Sequence, residues 1–214
     1  MMSNDFDFPR PGADQIQAAA SLSTATLHEA AGKIGALPSE IKPTAPGFKV
    51  SGPAFTVKNT PGDNLWLHRA IAAAQPGDVL LVDVFGHYEA GYWGDIMTTA
   101  ATARGLGGLV INGCVRDGAE IAAGNFPVFA RGLCIRGTGK DPAGQGFLAE
   151  PLAMGDCLIE PGDLVRGDMD GGVVIPRGEL AEAIKNGQAR DAKEADVMEK
   201  LRSGETTMGL YGWK

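Results

Sequence analysis

Two carboxylates and a guanidinium stand close together in the middle of the chain. Asp95 lies in Gly91-Tyr-Trp-Gly-Asp95-Ile-Met, and Arg116-Asp117 in Ile111-Asn-Gly-Cys-Val-Arg116-Asp117-Gly. Twenty residues lie between Asp95 and Arg116, and they read as a helix, a glycine turn and an apolar strand, Leu109 to Ile111. Such a unit sends the chain out at Asp95 and returns it at Arg116-Asp117 on the same side of a βα layer. Carboxylates suit a hard divalent cation. A guanidinium suits a substrate carboxylate, which it grips with two parallel hydrogen bonds. Metal-assisted chemistry on a small acid is the expectation.

Each of these residues also has a plainer reading. Asp95 and Asp117 each precede a helix, and Asp is a common N-cap. Glu120 follows Asp117 by three, as in a capping box. Capping alone leaves Arg116 unexplained, because a cation is unfavourable beside a helix N-terminus. His68 reads as a packed histidine, and His87 with Glu89 as solvated loop residues that could line an entrance. No pair of histidines has metal-ligand spacing, which argues against a zinc hydrolase. Cys114 reads as packing, with no histidine placed to activate it. Arg131 and Arg136 follow a strand, with substrate and surface roles equally open. Gly137-Thr-Gly-Lys140 lacks the spacing of a phosphate-binding loop and is rejected as one.

The elements that must position these groups follow from patterning. Ala13 to Gly35 reads as two short helices, with Ser23-Thr24 starting the second. Phe48-Val50 and Pro53-Lys58 read as short strands, Asn64 to Ala74 as a helix, and Val79 to Phe85 as a strand buried on both faces. Ile96 to Arg104 and Asp117 to Ala123 read as helices, and Pro127-Ala130 as a strand. Arg136 to Gly146 is a glycine-rich surface loop. Gly-Asp turns then punctuate short strands, including Cys157-Ile159 and Val173-Ile175. Glu179 to Arg202 is helical, with a possible break at Gly187.

Bulk numbers bound the class. The chain has 214 residues, 44% hydrophobic and 21% charged, which suits one domain, residues 1–214. Net charge is -7 with no basic block, so nucleic acid is not an expected partner. No apolar run approaches membrane-spanning length, so no membrane role is expected. The acidic N-terminus is unlike a secretory signal. Three widely spaced cysteines, Cys114, Cys134 and Cys157, fit reduced thiols and a cytoplasmic location.

With these motifs in view, the chain resembles the RraA-like proteins and the divalent-metal class II pyruvate aldolases. The text that carries the resemblance includes Gly62-Asp-Asn64, Gly94-Asp95, Ala103-Arg-Gly105, Val110-Ile-Asn-Gly113, Val115-Arg-Asp-Gly118, Pro127-Val-Phe-Ala-Arg-Gly132 and Gly204-Glu-Thr-Thr-Met-Gly-Leu-Tyr211. It runs from about residue 20 to the end. The Gly-Asp, twenty residues, Arg-Asp frame is its specific part.

The resemblance implies an α/β fold: a single-domain, layered α/β/β sandwich with a swivelling β/β/α-type core. It implies retro-aldol cleavage of a 4-hydroxy-2-oxo dicarboxylic or tricarboxylic acid to pyruvate, with oxaloacetate decarboxylation on the side. The type substrates are 4-hydroxy-4-methyl-2-oxoglutarate and 4-carboxy-4-hydroxy-2-oxoadipate. Asp117 would bind Mg2+ or Mn2+ directly and Asp95 would bind it through water. Arg116 would hold the pyruvyl carboxylate and keto oxygen, and the amides after Gly94, near Ile96 and Met97, would receive the carboxylate. A glutamate from a neighbouring subunit would complete the site, with Glu194 the choice and Glu199 the alternative. Homotrimers or homohexamers are implied. Family members also include non-catalytic, protein-binding regulators of an RNA-degrading endonuclease. That alternative remains open, as does a lyase acting on another 2-oxo acid.

Overall fold

The computed structural model describes residues 6–213. In chain order, α1 (Ala13–Ser21) and α2 (Thr24–Ala30) precede β1 (Lys42–Pro43) and β2 (Val50–Lys58). Then come α3 (Leu65–Ala73), β3 (Val79–Asp83), α4 (Asp95–Ala103), β4 (Gly108–Asn112), β5 (Cys114–Val115) and α5 (Gly118–Ala123). Strands β6 (Val128–Ala130), β7 (Gly132–Leu133), β8 (Phe147–Leu148), β9 (Leu152–Met154), β10 (Cys157–Ile159), β11 (Leu164–Asp168) and β12 (Gly171–Ile175) follow. Helices α6 (Leu180–Arg202) and α7 (Thr207–Tyr211) close the chain.

The main sheet runs β1-β6-β4-β3-β2-β11-β12. Its centre, β2-β3-β4-β6, is parallel, because α3, α4 and α5 supply the crossovers. Its flanks are antiparallel: β1 pairs with β6, and β2 with β11. The sheet curls until Lys42 on β1 reaches the carbonyl of Asp170, beyond β11. The result is a mixed α/β domain around a nearly closed, barrel-like sheet. β3 is buried at every position, as the unbroken apolar run requires. Leu80 and Val82 face α3 and α4, while Val79 and Leu81 face the curled interior plugged by β9 and β10. A third core joins α1, α2 and α6 to β11 and β12.

Three expectations about elements are corrected. Residues 50–58 form one strand, not two. Val50 to Pro53 pair with β11, and Ala54 to Lys58 pair with β3. Pro53 has no N–H to give, and it sits where the strand changes partner. The strand from Val79 ends at Asp83, because the Asp83 carboxylate accepts the Phe85 amide at 3.0 Å and turns the chain. Helix α6 is not broken at Gly187. A Cβ there would lie 2.7 Å from Leu22 Cδ1, so the glycine lets α6 lie close against the turn between α1 and α2.

Candidate active site

Two extended segments lie side by side and build the site. Gly91 bridges to Cys114, the Tyr92 amide donates to the Cys114 carbonyl at 3.0 Å, and the Arg116 amide donates to the Trp93 carbonyl at 2.8 Å. This ladder sets Gly94-Asp95 against Arg116-Asp117. Tyr92 and Trp93 are fully buried and anchor one segment in the core. Trp93 stacks on Phe126, and its indole N–H donates to Thr98 Oγ1 at 2.8 Å.

Helix α4 begins at this junction with Gly94 as its N-cap. Glycine has no side chain to cap the helix, and the Asp117 carboxylate supplies the acceptor instead. Asp117 Oδ2 accepts the Asp95 amide at 3.0 Å. A Cβ on Gly94 would lie 2.2 Å from that oxygen, so a bare backbone is required there. Asp117 itself is left-handed, at φ 58° and ψ 43°, and its side chain makes no capping bond to α5. The capping-box reading with Glu120 is therefore overturned. Arg116 Nε stands 3.7 Å from Asp117 Oδ2, and both side chains are part exposed. The Met97 amide turns back to the Gly94 carbonyl at 3.1 Å. The Ile96 amide has no backbone acceptor among the described residues. A free amide at a helix N-terminus suits an anion.

A cavity of about 330 Å³ opens here, walled by Trp93, Gly94, Met97, Arg116 and Asp117 on one side. The other walls are Asn64 and His68 of α3 and the loop residues Thr138 and Lys140. Asp63 holds those walls together. Its Oδ1 accepts the Leu65 amide at 2.7 Å, and its Oδ2 accepts the Asp141 amide at 2.6 Å. Gly139 adds backbone bonds to Gly62 and Asn64 on either side of it. Burial, with the Lys140 charge adding to it, pushes the His68 pKa below its ordinary value, while Asp63 opposes weakly.

Other sequence candidates lie elsewhere. The Asp95 side chain is exposed and has no hydrogen-bond partner among the described residues; only its amide meets Asp117. Glu194 pairs with Arg190 at 2.8 Å on α6, and Arg190 reaches Glu29 of α2. Neither Glu194 nor Glu199 lines the cavity of its own chain. His87 holds the Tyr92 hydroxyl at 2.9 Å and does not line the cavity. Arg131 donates to Asn112 Oδ1 and stacks on Tyr88, so it also turns away. Arg136 contributes its carbonyl to Gly91. Cys114 is buried, and burial raises its pKa, as suits packing and not nucleophilic attack. His68, read from the sequence as a packed histidine, and Lys140, read only as part of a rejected phosphate loop, both line the cavity. The signal available was Gly62-Asp63-Asn64, whose aspartate brackets the loop.

Among the described residues, no three carboxylate, histidine or cysteine side chains gather at metal-binding separation. No helix among them is long and apolar enough to cross a membrane.

Comparison with known proteins places the chain in a family. Residues 20–174 match the family model described as RraA-like, Aldolase/RraA. A protein of Halalkalibacterium halodurans, provisionally named a 4-hydroxy-4-methyl-2-oxoglutarate aldolase, is 35% identical over 81% of this chain and 82% of its own. An uncharacterized protein from Pseudomonas syringae superposes with a TM-score of 0.78 at 30% identity, covering 93% of this chain and 97% of that one. Streptomyces coelicolor RraAS2, described as an unusual member of the RNase ES inhibitor RraA family, gives 0.74 at 27% identity, covering 91% and 100%. The chain belongs to the RraA-like family.

Proposed function

We propose that this protein is a divalent-metal-dependent lyase. It cleaves a 4-hydroxy-2-oxo acid to pyruvate and a second oxo acid, and it decarboxylates oxaloacetate. The observation that carries the reading is the placement of Arg116 and Asp117 against the N-terminus of α4, inside the cavity. The provisional name of the Halalkalibacterium relative supports it.

The residues present fit Mg2+ or Mn2+. Asp117 commits only one carboxylate oxygen to the protein, Asp95 stands between the cavity-lining Gly94 and Ile96 with its carboxylate unbonded among the described residues, and both side chains offer oxygen donors. Hard cations that keep several waters need only one or two protein carboxylates. Asp117 would hold the ion directly, and Asp95 through water. Glu194 of a neighbouring subunit would also hold it through water. When bound, the ion supplies Lewis-acid polarisation of the 2-keto group.

The chain's own residues do the rest. Arg116 grips the pyruvyl carboxylate and stabilises the oxyanion that develops on the keto oxygen. The Ile96 amide and the positive end of α4 add to that field. Asp95 takes the C4-hydroxyl proton through a water as the C3–C4 bond breaks, and the same route returns a proton to C3 of the enolate. Losing carbon dioxide from oxaloacetate leaves the same enolate, so one site serves both reactions.

We also propose that the working form is a homotrimer or homohexamer. Past Gly187, α6 buries no side chain within the chain, and α7 buries none at all. Met198, Met208, Tyr211 and Trp213 are exposed there, as are Ile96, Leu133 and Ile135 around the site. Apolar surface of this kind is what an interface between copies covers.

The test is pyruvate release by purified protein with magnesium or manganese. The panel holds oxaloacetate and several 4-hydroxy-2-oxo acids. Turnover that EDTA abolishes and metal restores is expected. No pyruvate from any compound would leave the non-catalytic, protein-binding reading in its place.

A further inference from the structure

We infer that a second cavity, on the face of α3 turned away from the candidate active site, binds a monocarboxylic acid with an apolar body, and that Arg69 holds its carboxylate. The inference stands apart from the lyase reading and is tested without turnover.

Helical spacing separates the two cavities. Asn64 and His68 stand four apart on one face of α3 and line the candidate active site. Trp66, Arg69 and Ala73 recur at three and four on the opposite face and line the second cavity, of about 450 Å³. Phe6, Pro142 and Leu148 supply other walls. The loop is divided in the same way, with Lys140 on one side and Pro142 on the other.

The walls are held in place by the protein itself. Phe6 stands edge-on to Phe55, with ring centroids 5.6 Å apart. The Trp66 indole N–H donates to the Gly144 carbonyl at 2.9 Å. A Cβ on Gly146 would lie 2.6 Å from Trp66 Cδ1, so the loop is pressed against the ring. With its one polar atom spent on the loop, Trp66 offers the cavity carbon only.

Arg69 is the one charged side chain in this lining. It is part-buried, and it makes no hydrogen bond or ion pair among the described residues. Its guanidinium lies over the Trp66 ring, 4.3 Å from the centroid. Stacking occupies the face of a guanidinium and leaves the N–H groups at its edge, where a carboxylate accepts two parallel bonds. No carboxylate among the lining residues competes for them. Arg104 donates to the carbonyl of Ala72, another lining residue, at 2.9 Å, so a second positive charge stands close by. An apolar body fills the carbon-lined space and gains by leaving water. One carboxylate matches one free guanidinium, and a second would be buried without a partner. These features define an apolar monocarboxylate.

The experiment titrates the whole chain with 4-phenylbutanoate and with its uncharged counterpart, 4-phenylbutanamide, by ligand-observed NMR. Wild type should bind the acid about ten- to hundredfold more tightly than the amide, the range for a hydrogen bond to a charged group. That comparison needs no variant. Arg69→Met should lose the margin and bind the amide as before, and Arg69→Lys should keep part of it. Ala73→Phe fills the cavity without removing the charge, and it should weaken both ligands tenfold or more. Arg116→Met should bind the acid as wild type does. Melting curves establish that each variant is folded. Acid binding that survives Arg69→Met, or that is lost in Arg116→Met, would overturn the proposal. So would a wild type that binds neither ligand, the result expected if a second copy of the chain covers the cavity.

Discussion

Asp117 Oδ2 accepts the amide of Asp95 at 3.0 Å, so a residue from the far side of a βα unit caps the helix that opens that unit. The bond ties the strand end at Arg116 to the start of α4. It also aims a carboxylate at a helix N-terminus, where its charge is stabilised by the free amides. The left-handed backbone of Asp117 is what turns its side chain away from α5 and toward α4. Strain of this kind in a residue other than glycine costs about 1–3 kcal/mol and gathers at functional sites.

Capping and chemistry at Asp117 can be separated. Asn tolerates the left-handed region and keeps an oxygen for the Asp95 amide, but it loses the charge. Asp117→Asn should therefore melt close to wild type and release little or no pyruvate. Asp117→Ala should lose turnover as well and fall by about 1 kcal/mol in stability, the worth of a cap. Thermal melts and pyruvate assays on both variants decide the matter. Normal turnover in the asparagine variant would make Asp117 a cap and nothing more.

Gly94 gives an independent probe of the same junction. An added Cβ would lie 2.2 Å from Asp117 Oδ2 and 3.2 Å from Arg116 Cγ. Gly94→Ala must push the pair away from α4. Overpacking of this sort costs about 1–3 kcal/mol. The expected outcome is a modest fall in melting temperature and a loss of turnover well beyond tenfold. A folded variant with wild-type kinetics would show that the Arg116-Asp117 position does not set the rate.

How much of this was legible follows from sequence distance. The adjacency of Gly94-Asp95 and Arg116-Asp117 spans one helix and one strand, so periodicity alone brings the segments together. The cap that crosses between them was not legible, because it depends on a positive φ at a residue other than glycine. Lys140 and His68 were not read as cavity residues for a different reason. They meet because Asp63, with Gly139, bonds the start of α3 to the loop; the Gly62-Asp63-Asn64 motif marks that aspartate, but periodicity and spacing do not say which loop it holds. Gly187 reads locally as a helix breaker, yet close packing against Leu22 makes glycine the residue that keeps α6 seated. The strand change at Pro53 is likewise a matter of which neighbours the sheet supplies.

Asp168 tests stability apart from the site. Burial alone would raise its pKa, but bonds from the Thr24 amide and hydroxyl and the Asp170 amide, with Arg166 nearby, hold it below the ordinary value of 3.8. A folded pKa below the unfolded one means that the folded state favours the charged form. The stabilisation is fully present above the unfolded value and is lost as pH falls through the folded one. Asp168→Asn should lower stability near neutral pH by about 1.5–3 kcal/mol, the range for hydrogen bonds to a charged group. Denaturant titrations from neutral pH down to strong acid should show the gap between variant and wild type closing below about pH 4. A gap that stays constant across that range would mean that charge at Asp168 is not what stabilises the fold.

The last prediction concerns sharing of the site between subunits. Within one chain, Glu194 pairs with Arg190 and stays on the α2 side of α6, away from the cavity. If Glu194 serves Asp117, it must serve the Asp117 of another copy. A closed ring allows this, because each chain's distal α6 then meets the next chain's site through the same heterologous contact. Asp117→Ala and Glu194→Ala should each be inactive alone. Co-expressed, they should recover part of the activity, since some sites in mixed rings combine a wild-type Asp117 from one chain with a wild-type Glu194 from the next. Differently tagged chains and sizing chromatography establish that mixed rings have formed. Mixed rings no more active than either parent would remove Glu194 from the site, and the same cross with Glu199→Ala would then test the other glutamate. Activity in a dilute monomer would end the shared-site idea for both.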